Sequence, residues 1–327
     1  MIYTHIGPLP PPLGGISVYL YRLSKIDTKD IYIDEKVFFG NGKISIKLIP
    51  STIYFFKWYL NQLLIFRKKI YVYHSHLKFV RFLLYLLSII SKHEYIIVIH
   101  GHSIIYQYKG SISKIFIRLI LDNARLIQVV NQYYKDYITN VINTRNNNIL
   151  VKNAFLPPPL EEEDKIIENY SSNLVYFFKN RKPLILANAG SIRFYNNIDI
   201  YGLDLCVDLI IKLKLKYPNI GFIFALADSS NYKFYLLKII KKIKQNNIEE
   251  NFYFLTGQKE IWPLFKKVDF FIRPTYFDGT PVSILEARNF NCPVIASDCS
   301  PRPSSVILFK NRDLDDLYLK VLDILKK

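Results

Sequence analysis

Two acids, Asp278 and Glu286, stand eight positions apart on either side of a predicted helix start. A strongly apolar strand ends at Arg273, a turn carries Asp278-Gly279, and helical spacing begins near Ser283. Backbone N–H groups in the first turn of a helix, with the positive end of its dipole, form a site for anions. These residues therefore predict a place where a diphosphate is bound beside two carboxylates that hold sugar or ribose hydroxyls.

A purely structural explanation of the same residues stays open. The run from Ser283 to Glu286 fits a capping box, in which the Glu286 side chain would reach back to the N–H of Ser283. The pair Asp278-Gly279 fits an ordinary turn. On spacing alone, this structural explanation is slightly favoured.

Further candidates follow other predicted strands of the second half. Gly190 and Arg193 come after a strand that ends near Ala187, and Tyr201 stands just before a helix. Another strand ends at Leu255-Thr256, ahead of a short helix. The guanidinium of Arg193 is suited to binding a phosphate, but Arg193 could instead be a solvated loop residue. The segment at Leu255-Thr256 could be an ordinary strand-to-helix turn.

The first half offers a glycine pair. Gly14-Gly15 follows a short strand and opens a predicted helix, an arrangement that lets backbone approach a phosphate or an acceptor closely. The dinucleotide fingerprint G-x-G-x-x-G is absent, and no Gly-Lys-Ser/Thr of a P-loop follows. The pair is therefore a weak signal by itself.

Four of the six histidines come in two pairs, His74-Ser75-His76 and His100-Gly101-His102, and each pair ends a predicted strand. Zinc could use four imidazoles, but no cysteine or acid completes a familiar ligand pattern, so we expect no metal. Histidines that only stabilise the strand ends are the alternative to a role in a site.

Strands and helices must alternate to place these residues at strand ends. In the first half, short β-type runs alternate with helical stretches. The predicted strands are Ile2–Ile6, Ile70–Tyr73, Tyr95–Ile99 and Leu126–Val130. The predicted helices are one that starts at Ser17, one over Leu77–Ser91 and one over Ser111–Asn123. Such alternation predicts a mostly parallel sheet that is covered on both faces.

The second half repeats this rhythm. The predicted strands are Pro183–Asn188, Gly221–Ala225, Phe252–Leu255, Asp269–Arg273 and Pro293–Ala296. The predicted helices are Gly202–Lys216, Tyr232–Lys244, Glu260–Lys267, Ser283–Phe290 and Leu314–Lys326. The sequence thus predicts the α/β class, with two doubly wound Rossmann-like domains that face each other across a cleft.

A proline-rich segment at Leu156–Leu160, followed by the acidic Glu161–Asp164, marks the predicted linker. Prolines stiffen the chain, and a run of charges is costly to bury. We therefore expect domains at 1–160 and 161–327. An arrangement in which the last helix packs back on the first domain stays open.

The composition limits the classes of function. The 327 residues are 50% hydrophobic and 22% charged, and the formal net charge is 44 − 27 = +17. A basic surface attracts phosphates, although a general bias toward Lys, Ile, Asn and Tyr also explains the charge. No zinc-finger spacing, basic-region heptad or RNA-recognition motif occurs, so nucleic acid is disfavoured as a partner.

Compartment signals point to the cytoplasm. The three cysteines, Cys206, Cys292 and Cys299, have no paired spacing, which favours a reducing compartment. Residues 1–20 do not form a secretory signal, and the longest apolar stretch is nine residues, short of the about 20 that span a bilayer. We expect a cytoplasmic protein, with the inner face of the membrane as an option.

One region could contact that membrane. Residues 55–92 are rich in aromatic residues with interspersed Lys and Arg, and Lys78–Lys92 reads as a basic, strongly apolar helix. Such a helix can lie on an anionic membrane surface. A buried core helix with cationic ends is the alternative.

The order of residues from Asp278 onward resembles the retaining family 4 glycosyltransferases of the GT-B fold. The hallmark is an acid, seven residues and a Glu, followed by a buried Pro-Val-Ile strand, here Asp278, Glu286-Ala287 and Pro293-Val294-Ile295. The resemblance covers most of the chain and is strongest from Gly190 to Pro303. The first acid is Asp rather than the commoner, longer Glu.

The resemblance implies roles for the donor-side residues. Glu286 would contact the donor ribose and Asp278 the transferred sugar, while the loop and amides at Gly279 and Pro281-Val282-Ser283 would face the diphosphate. Arg193, in the loop opened by Gly190, would neutralise the leaving diphosphate. Tyr201 occupies the place of an expected Lys, so one cation is missing there.

The remaining implied contacts are spread along the chain. Leu255 and Thr256 would lie against the nucleotide base. Gly14-Gly15 would form the Gly-Gly loop that the family has at this place in its first domain, which is the domain on the acceptor side. A histidine after the strand at Ile96–Ile99 would contact the transferred sugar, with His100 the better candidate and His102 the second. The implied reaction moves a sugar from a nucleotide diphosphate sugar to an acceptor hydroxyl with retention and without cofactor or metal.

The expected partners are a nucleotide sugar and a glycan or lipid-linked acceptor, in surface polysaccharide or glycolipid assembly. Three rival functions remain. The chain could be a non-catalytic sugar-nucleotide or partner-binding subunit of a glycan assembly complex, which the missing Lys at Tyr201 favours. It could also be a sugar-nucleotide epimerase of the same two-domain shape. A basic nucleic-acid-binding protein is the weakest rival.

Overall fold

The computed structural model describes residues 2–11, 13–35, 59–64, 68–74, 78–257, 259–278 and 281–326. Two compact units divide the chain, Met1–Leu156 and Pro157–Lys327. The division falls four residues before the boundary expected from the proline-rich segment.

The first unit is built on a sheet of six parallel strands in the order β2-β1-β3-β4-β5-β6. The strands are β1 Tyr3–Gly7, β2 Ile31–Asp34, β3 Ile70–Tyr73, β4 Glu94–Ile99, β5 Leu126–Val129 and β6 Ile149–Val151. Its helices are α1 Gly15–Ile26, α2 Lys78–Ile90, α3 Ser103–Gln107, α4 Ser111–Asp122 and α5 Gln132–Asp136, followed by a π-helical turn at Tyr137–Ile142.

The apolar runs of this unit form its core because both faces of a parallel sheet are covered. β4 is buried along almost its whole length. Helices α2 and α4 cover one face, with Leu84 and Ile120 among the packed side chains. Val72 and Val98 belong to the cluster on the opposite side of the strands.

The second unit has its own parallel sheet, in the order β11-β10-β7-β12-β13-β14. The strands are β7 Leu184–Ser191, β10 Gly221–Asp228, β11 Phe252–Thr256, β12 Phe270–Arg273, β13 Val294–Ser297 and β14 Ile307–Phe309, and a hairpin is formed by β8 Phe194–Tyr195 and β9 Ile198–Asp199. The helices are α6 Glu163–Glu168, α7 Ser172–Asn180, α8 Leu203–Lys214, α9 Lys233–Gln245, α10 Val282–Asn289 and α11 Leu314–Leu325.

Counted from β7 along the chain, this strand order is 3-2-1-4-5-6, the order of a Rossmann-like doubly wound sheet. The predicted α/β class with two Rossmann-like domains is therefore confirmed. The last helix, α11, packs on α8 and on β14 within the second unit.

One predicted helix is wrong. The stretch Glu260–Lys267 forms only a short 3-10 helix at Trp262–Lys266. Pro263 lies in its first turn and lacks the N–H that a longer α-helix would use there. Over the part of the chain that the structure describes, no helix is both long and apolar enough to cross a membrane.

Candidate functional site

The order of the second sheet reverses between β7 and β12, which are hydrogen-bonded neighbours. In open parallel sheets, ligands are bound beyond the carboxyl ends of the strands at such a reversal. β7 ends at Ser191 and β12 at Arg273, so their following loops carry Arg193 and Asp278. Topology thus brings these two predicted site residues to the same edge of the sheet.

A buried charge network lies at the end of β12. Nε of Arg273 donates to Oδ2 of Asp278 across 3.0 Å, and its Nη1 donates to the backbone and side-chain oxygens of Asn188 across 2.9 and 3.0 Å. Nη1 of Arg302 lies 3.4 Å from the same Asp278 oxygen, and the hydroxyl of Thr275 donates to it across 3.1 Å. Two guanidiniums and a hydroxyl thus share one carboxylate oxygen.

Burial and charge act in opposite directions on this network. Burial alone would raise the pKa of the Asp278 carboxyl, but the guanidiniums of Arg273 and Arg302 outweigh burial and lower that pKa below its ordinary value. Burial alone would lower the pKa of Arg273, and the Asp278 carboxylate reverses this into a rise. Asp278 and Arg273 are therefore charged at neutral pH, and with Arg302 the network contains two guanidiniums and one carboxylate.

Helix α10 follows this network and begins at Val282, with Pro281 as its N-cap. Pro281 has no polar side chain, so the N-cap residue itself does not satisfy the first N–H groups of the helix. Ser283 is the second residue of the helix rather than its cap, and the capping-box explanation is therefore wrong. Glu286 is buried one turn further on, and Gly279 lies outside the described residues.

Arg193 precedes a tight hairpin that the sequence analysis missed. Strands β8 and β9 pair antiparallel around Asn196-Asn197, whose φ values are +49° and +59°. Two consecutive positive φ angles are typical of the turns that join hairpin strands, and Asn tolerates them. The Arg193 side chain is exposed, and its Nε donates to the hydroxyl of Ser191 across 3.2 Å.

The hairpin leads into the start of α8. Asp199 accepts the N–H groups of Tyr201 and Leu203 across 2.9 and 2.8 Å and the hydroxyl of Tyr235 across 2.9 Å. Gly202 has φ +69°, and a Cβ there would collide with the backbone oxygen of Pro274. This close approach sets the start of α8 directly against the end of β12.

Tyr201, predicted at the place of a missing lysine, lies beside the charge network. The Arg273 guanidinium carbon is 5.2 Å from the centroid of the Tyr201 ring, a cation–π distance. A positive charge beside Tyr201 is thus supplied from β12, by a residue that the sequence analysis had treated only as a strand end.

The other donor-side candidates occupy different surroundings. Leu255 is buried in the core cluster of one face of the second sheet, whereas Thr256 at the end of β11 is exposed. Gly190 is exposed near the end of β7, and nothing lies within 4 Å of the position that a Cβ would take. Val282 is half-buried at the first position of α10.

In the first unit, Gly14-Gly15 lies at the start of α1, as predicted from the sequence. Gly14 is the N-cap, and its N–H donates to the hydroxyl of Ser17 across 2.9 Å. Both glycines are exposed. They follow β1, which lies beside β3 where the order of the first sheet reverses.

The two histidine candidates differ in their partners. His100 directly follows β4, and its Nε2 lies 3.1 Å from Nδ1 of His74. Burial lowers the pKa of His100 to about 4, with a smaller contribution from the charge of Arg81. His102 is the N-cap of α3, and its Nδ1 is 2.6 Å from the hydroxyl of Tyr134. With a pKa of about 4, His100 is neutral at physiological pH.

Several site residues escaped the sequence analysis, above all Arg302, Asn188, Thr275 and Asp199. The signal for Arg302 was weak, a lone charge between two prolines after the Pro-Val-Ile strand. Among the described residues, no group of three or more His, Cys, Asp or Glu side chains could hold a metal ion.

Comparison with known proteins agrees with this geometry. Residues 193–327 match the family model described as glycosyl transferases group 1. The uncharacterized glycosyltransferase MJ1059 of Methanocaldococcus jannaschii is 23% identical over 195 residues, which cover 56% of this chain and 46% of that protein. The amylovoran biosynthesis glycosyltransferase AmsD of Erwinia amylovora is 27% identical over 70 residues, 21% of this chain and 20% of that protein. The chain thus matches less than half the length of either relative.

Among solved structures, Anabaena HepE in complex with UDP and glucose superposes with a TM-score of 0.69 at 12% identity. That match covers 100% of this chain and 90% of HepE. The fold is thus the GT-B architecture of glycosyltransferases. Within the second unit, residues 193–327 are similar to the glycosyl transferases group 1 family.

Proposed function

We propose that the protein transfers a glycosyl group from a nucleotide diphosphate sugar to an acceptor hydroxyl and retains the anomeric configuration. The observation that carries the proposal is the strand-order reversal in the second sheet, where Arg193, the start of α10 and the Asp278 network follow two neighbouring strands. Cations and the backbone amides of a helix start at one sheet edge suit the binding of a diphosphate. Retention rests on the resemblance of the Asp278–Glu286 segment to family 4 enzymes.

The difficult step in such a transfer is the build-up of charge on the departing diphosphate. Arg193 and the first amides of α10 would stabilise that charge, and one preorganised donor of this kind is worth about 3–4 kcal/mol. Asp278 would contact the transferred sugar, and Glu286 would contact the ribose. The proposal needs no metal ion, because the chain itself supplies the positive charge.

Arg273 and Arg302 extend this mechanism. Their hydrogen bonds hold Asp278 in one orientation, and a fixed carboxylate is better placed to bind a sugar hydroxyl than a mobile one. The network contains two guanidiniums and one carboxylate, so one positive charge is left over. In this largely dry environment, such a charge acts strongly on a nearby anion. In this mechanism it replaces the lysine that Tyr201 lacks.

The donor base is proposed from a structural neighbour. HepE binds UDP in its crystal structure, and its fold matches the whole of this chain. Uridine diphosphate sugars are therefore the first donors to test. Leu255 and Thr256 stand at the end of β11, where we propose that the base lies.

The acceptor is proposed to be a glycan or a lipid-linked glycan of surface polysaccharide assembly, at the cytoplasmic face of a membrane. AmsD, which acts in amylovoran biosynthesis by its name, supports this choice of pathway. The region 55–92 remains the predicted membrane contact, and only part of it lies among the described residues. Ile89 and Ile90 at the end of α2 are exposed.

Helix α4 offers a second apolar surface. Ile112, Ile115, Phe116 and Leu119 are exposed at the i, i+3, i+4 and i+7 positions of one helical face, and Lys114 lies in the same helix. An exposed apolar stripe beside basic residues suits the surface of an anionic membrane. We therefore include α4 in the proposed membrane contact.

The test is binding of UDP-, GDP-, ADP- and CDP-sugars by thermal shift, with the wild type beside Glu286→Ala. Ligand at about 100 times its Kd should add roughly 2.7 kcal/mol of stability. We expect a shift with one nucleotide class and its loss in the variant. A folded wild type that responds to none of the four would refute the donor site and favour a non-catalytic subunit. Conversion of the donor sugar without any acceptor would favour an epimerase.

A further inference from the structure

A row of three imidazoles crosses the sheet of the first unit and ends on a carboxylate. Nε2 of His5 lies 3.2 Å from Oδ2 of Asp30, and Nδ1 of His5 lies 2.9 Å from Nε2 of His74. Nδ1 of His74 in turn lies 3.1 Å from Nε2 of His100. The row thus connects the strand-end histidine of the candidate site to an acid that directly precedes β2.

The sheet itself builds this row. His5 belongs to β1, while His74 and His100 directly follow β3 and β4, and these three strands are consecutive neighbours. The N–H of His74 donates to the backbone oxygen of Ile6 across 2.8 Å. A Cβ on Gly7 would stand 2.7 Å from Cδ1 of Leu20 and 3.0 Å from Cβ of His74, so glycine at this position lets both side chains pack against β1.

Aromatic rings hold the imidazoles in place. His5 stacks on Tyr32, with ring centroids 4.9 Å apart and planes 8° from parallel. Tyr19 contacts the next two rings, at 5.7 Å from His74 and 5.4 Å from His100. These contacts restrict the tilt of the imidazoles and keep the neighbouring ring nitrogens within hydrogen-bond distance of each other.

The direction of the hydrogen bonds follows from charge. Burial lowers the pKa of His5, even against Asp30, and lowers the pKa of His74 well below its ordinary value. Neutral imidazole carries one N–H and one lone pair, and a carboxylate can only accept. The Nε2–H of His5 must therefore point to Asp30, which leaves its Nδ1 as an acceptor for His74.

The same reasoning applies to His74 and His100. His74 uses its Nε2–H on His5 and accepts at Nδ1 from the Nε2–H of His100. His100 is then left with a lone pair on Nδ1, and among the described residues this atom has no hydrogen-bond partner. The carboxylate of Asp30 thus sets the tautomer of a histidine two strands away from His5.

We propose that Asp30, His5 and His74 are positioning residues that hold His100 as its Nε2–H tautomer, so that its Nδ1 accepts a hydrogen bond from a hydroxyl of the transferred sugar. This inference rests on the proposed function for its substrate. It predicts which nucleotide sugars are bound. A sugar with a hydroxyl that faces Nδ1 of His100 is preferred, and an analogue without that hydroxyl is disfavoured. A carboxylate is disfavoured as well, because it cannot donate.

The sharpest variant is Asp30→Asn. Its oxygen can still accept the N–H of Tyr3, which now donates to Oδ1 across 2.9 Å. Its amide N–H groups then face Nε2 of His5 and must donate to it. Every hydrogen bond in the row reverses, and His100 is left with its proton on Nδ1.

Long-range proton–nitrogen NMR spectra of the ligand-free full chain report which ring nitrogen is protonated, and His100→Gln assigns the signal. We expect Nε2–H in the wild type and Nδ1–H in Asp30→Asn. Asp27→Asn is the matched control, since Asp27 acts on His5 only through its charge and should leave the tautomer unchanged. Lys152 and Arg81, the other charges that act on this row, are retained in all samples.

Two results would overturn the inference: a wild-type His100 protonated on Nδ1, or an unchanged tautomer in a folded Asp30→Asn. If that variant fails to fold, the wild-type spectrum still decides the first point. With the donor found by the binding panel, Asp30→Asn should also reduce the preference for the hydroxylated sugar over its deoxy analogue at least about tenfold. The ligand-free spectra do not depend on donor binding, so failure of the proposed function is seen separately.

Discussion

Nε of Arg273 lies 3.0 Å from Oδ2 of Asp278, and the two side chains are only 9% and 13% exposed. The pair joins the end of a core strand to the loop that precedes α10, so a charge–charge contact fixes the approach to the proposed diphosphate site. Arg302 reaches the same oxygen from the loop after β13, with a side chain that is 1% exposed. Three segments are thereby connected through one carboxylate.

Replacement of Asp278 by Asn should be strongly destabilising, because it leaves two buried guanidiniums without their counter-charge. We expect the free energy of unfolding to fall by about 3–5 kcal/mol in urea titrations at neutral pH. The matched control is Asp315→Asn, since Asp315 pairs with Lys212 at the surface and should cost less than about 1 kcal/mol. Equal losses in the two variants would contradict the buried network.

The same pair predicts a pH dependence. The pKa of Asp278 is lower in the folded protein than in the unfolded chain, so its contribution is complete above the unfolded pKa of about 4 and is lost as the pH falls through the folded pKa. The difference in stability between wild type and Asp278→Asn should therefore shrink as unfolding is measured at progressively lower pH below about 4. A difference that stays constant down to acid unfolding would show that the carboxylate charge contributes nothing.

The fold could be predicted from the sequence because its signals are local. Apolar runs such as Ile70–Tyr73 and Glu94–Ile99 alternate with helical spacing, and a parallel sheet follows from that alternation alone. Very short strands carry too few residues for a pattern, so β8 and β9 were missed although Asn196-Asn197 marks their turn. Pro263 likewise indicated that the helix expected there would not form.

The contacts of the site could not be predicted in the same way. Arg302 is 24 positions from Asp278, and His5 is 69 positions from His74. Which distant residues meet depends on the order of strands in the sheet, and alternation of elements leaves that order open. The sequence therefore indicated the acids and the strand-end histidines, whereas their buried partners required the structure.

Arg193 should contribute to donor affinity through its charge. Its removal in Arg193→Ala should weaken binding of the nucleotide sugar by about 10- to 100-fold, as expected for a lost hydrogen bond to a charged group. Isothermal titration calorimetry, with the nucleotide sugar identified in the thermal-shift experiment, measures this affinity. Lys182→Ala serves as the control, because Lys182 carries the same charge before the other end of β7. Equal affinities in wild type and Arg193→Ala would exclude a contact with the diphosphate.

Gly202 should tolerate no side chain. Gly202→Ala combines a positive φ with a collision against Pro274, and we expect a loss of more than the about 1–2 kcal/mol that left-handed backbone costs by itself. Gly257→Ala isolates the backbone cost, since Gly257 also has a positive φ, +92°, and nothing lies within 4 Å of its missing Cβ. Denaturant unfolding of both variants gives the comparison, and a Gly202→Ala cost no larger than that of Gly257→Ala would refute the close approach of α8 to β12.

The exposed stripe of α4 should contribute to membrane association. We expect the wild type to float with vesicles that contain anionic lipid and less with neutral ones, because basic residues and apolar side chains act together at such surfaces. Ile112→Ser combined with Ile115→Ser should reduce flotation several-fold. Leu215→Ser is the control: Leu215 lies in the second unit and is 88% exposed, so it tests whether any exposed apolar residue has the same effect. Undiminished flotation of the double variant would assign the membrane contact to the region 55–92 instead, and no flotation of the wild type would remove the membrane from the proposal.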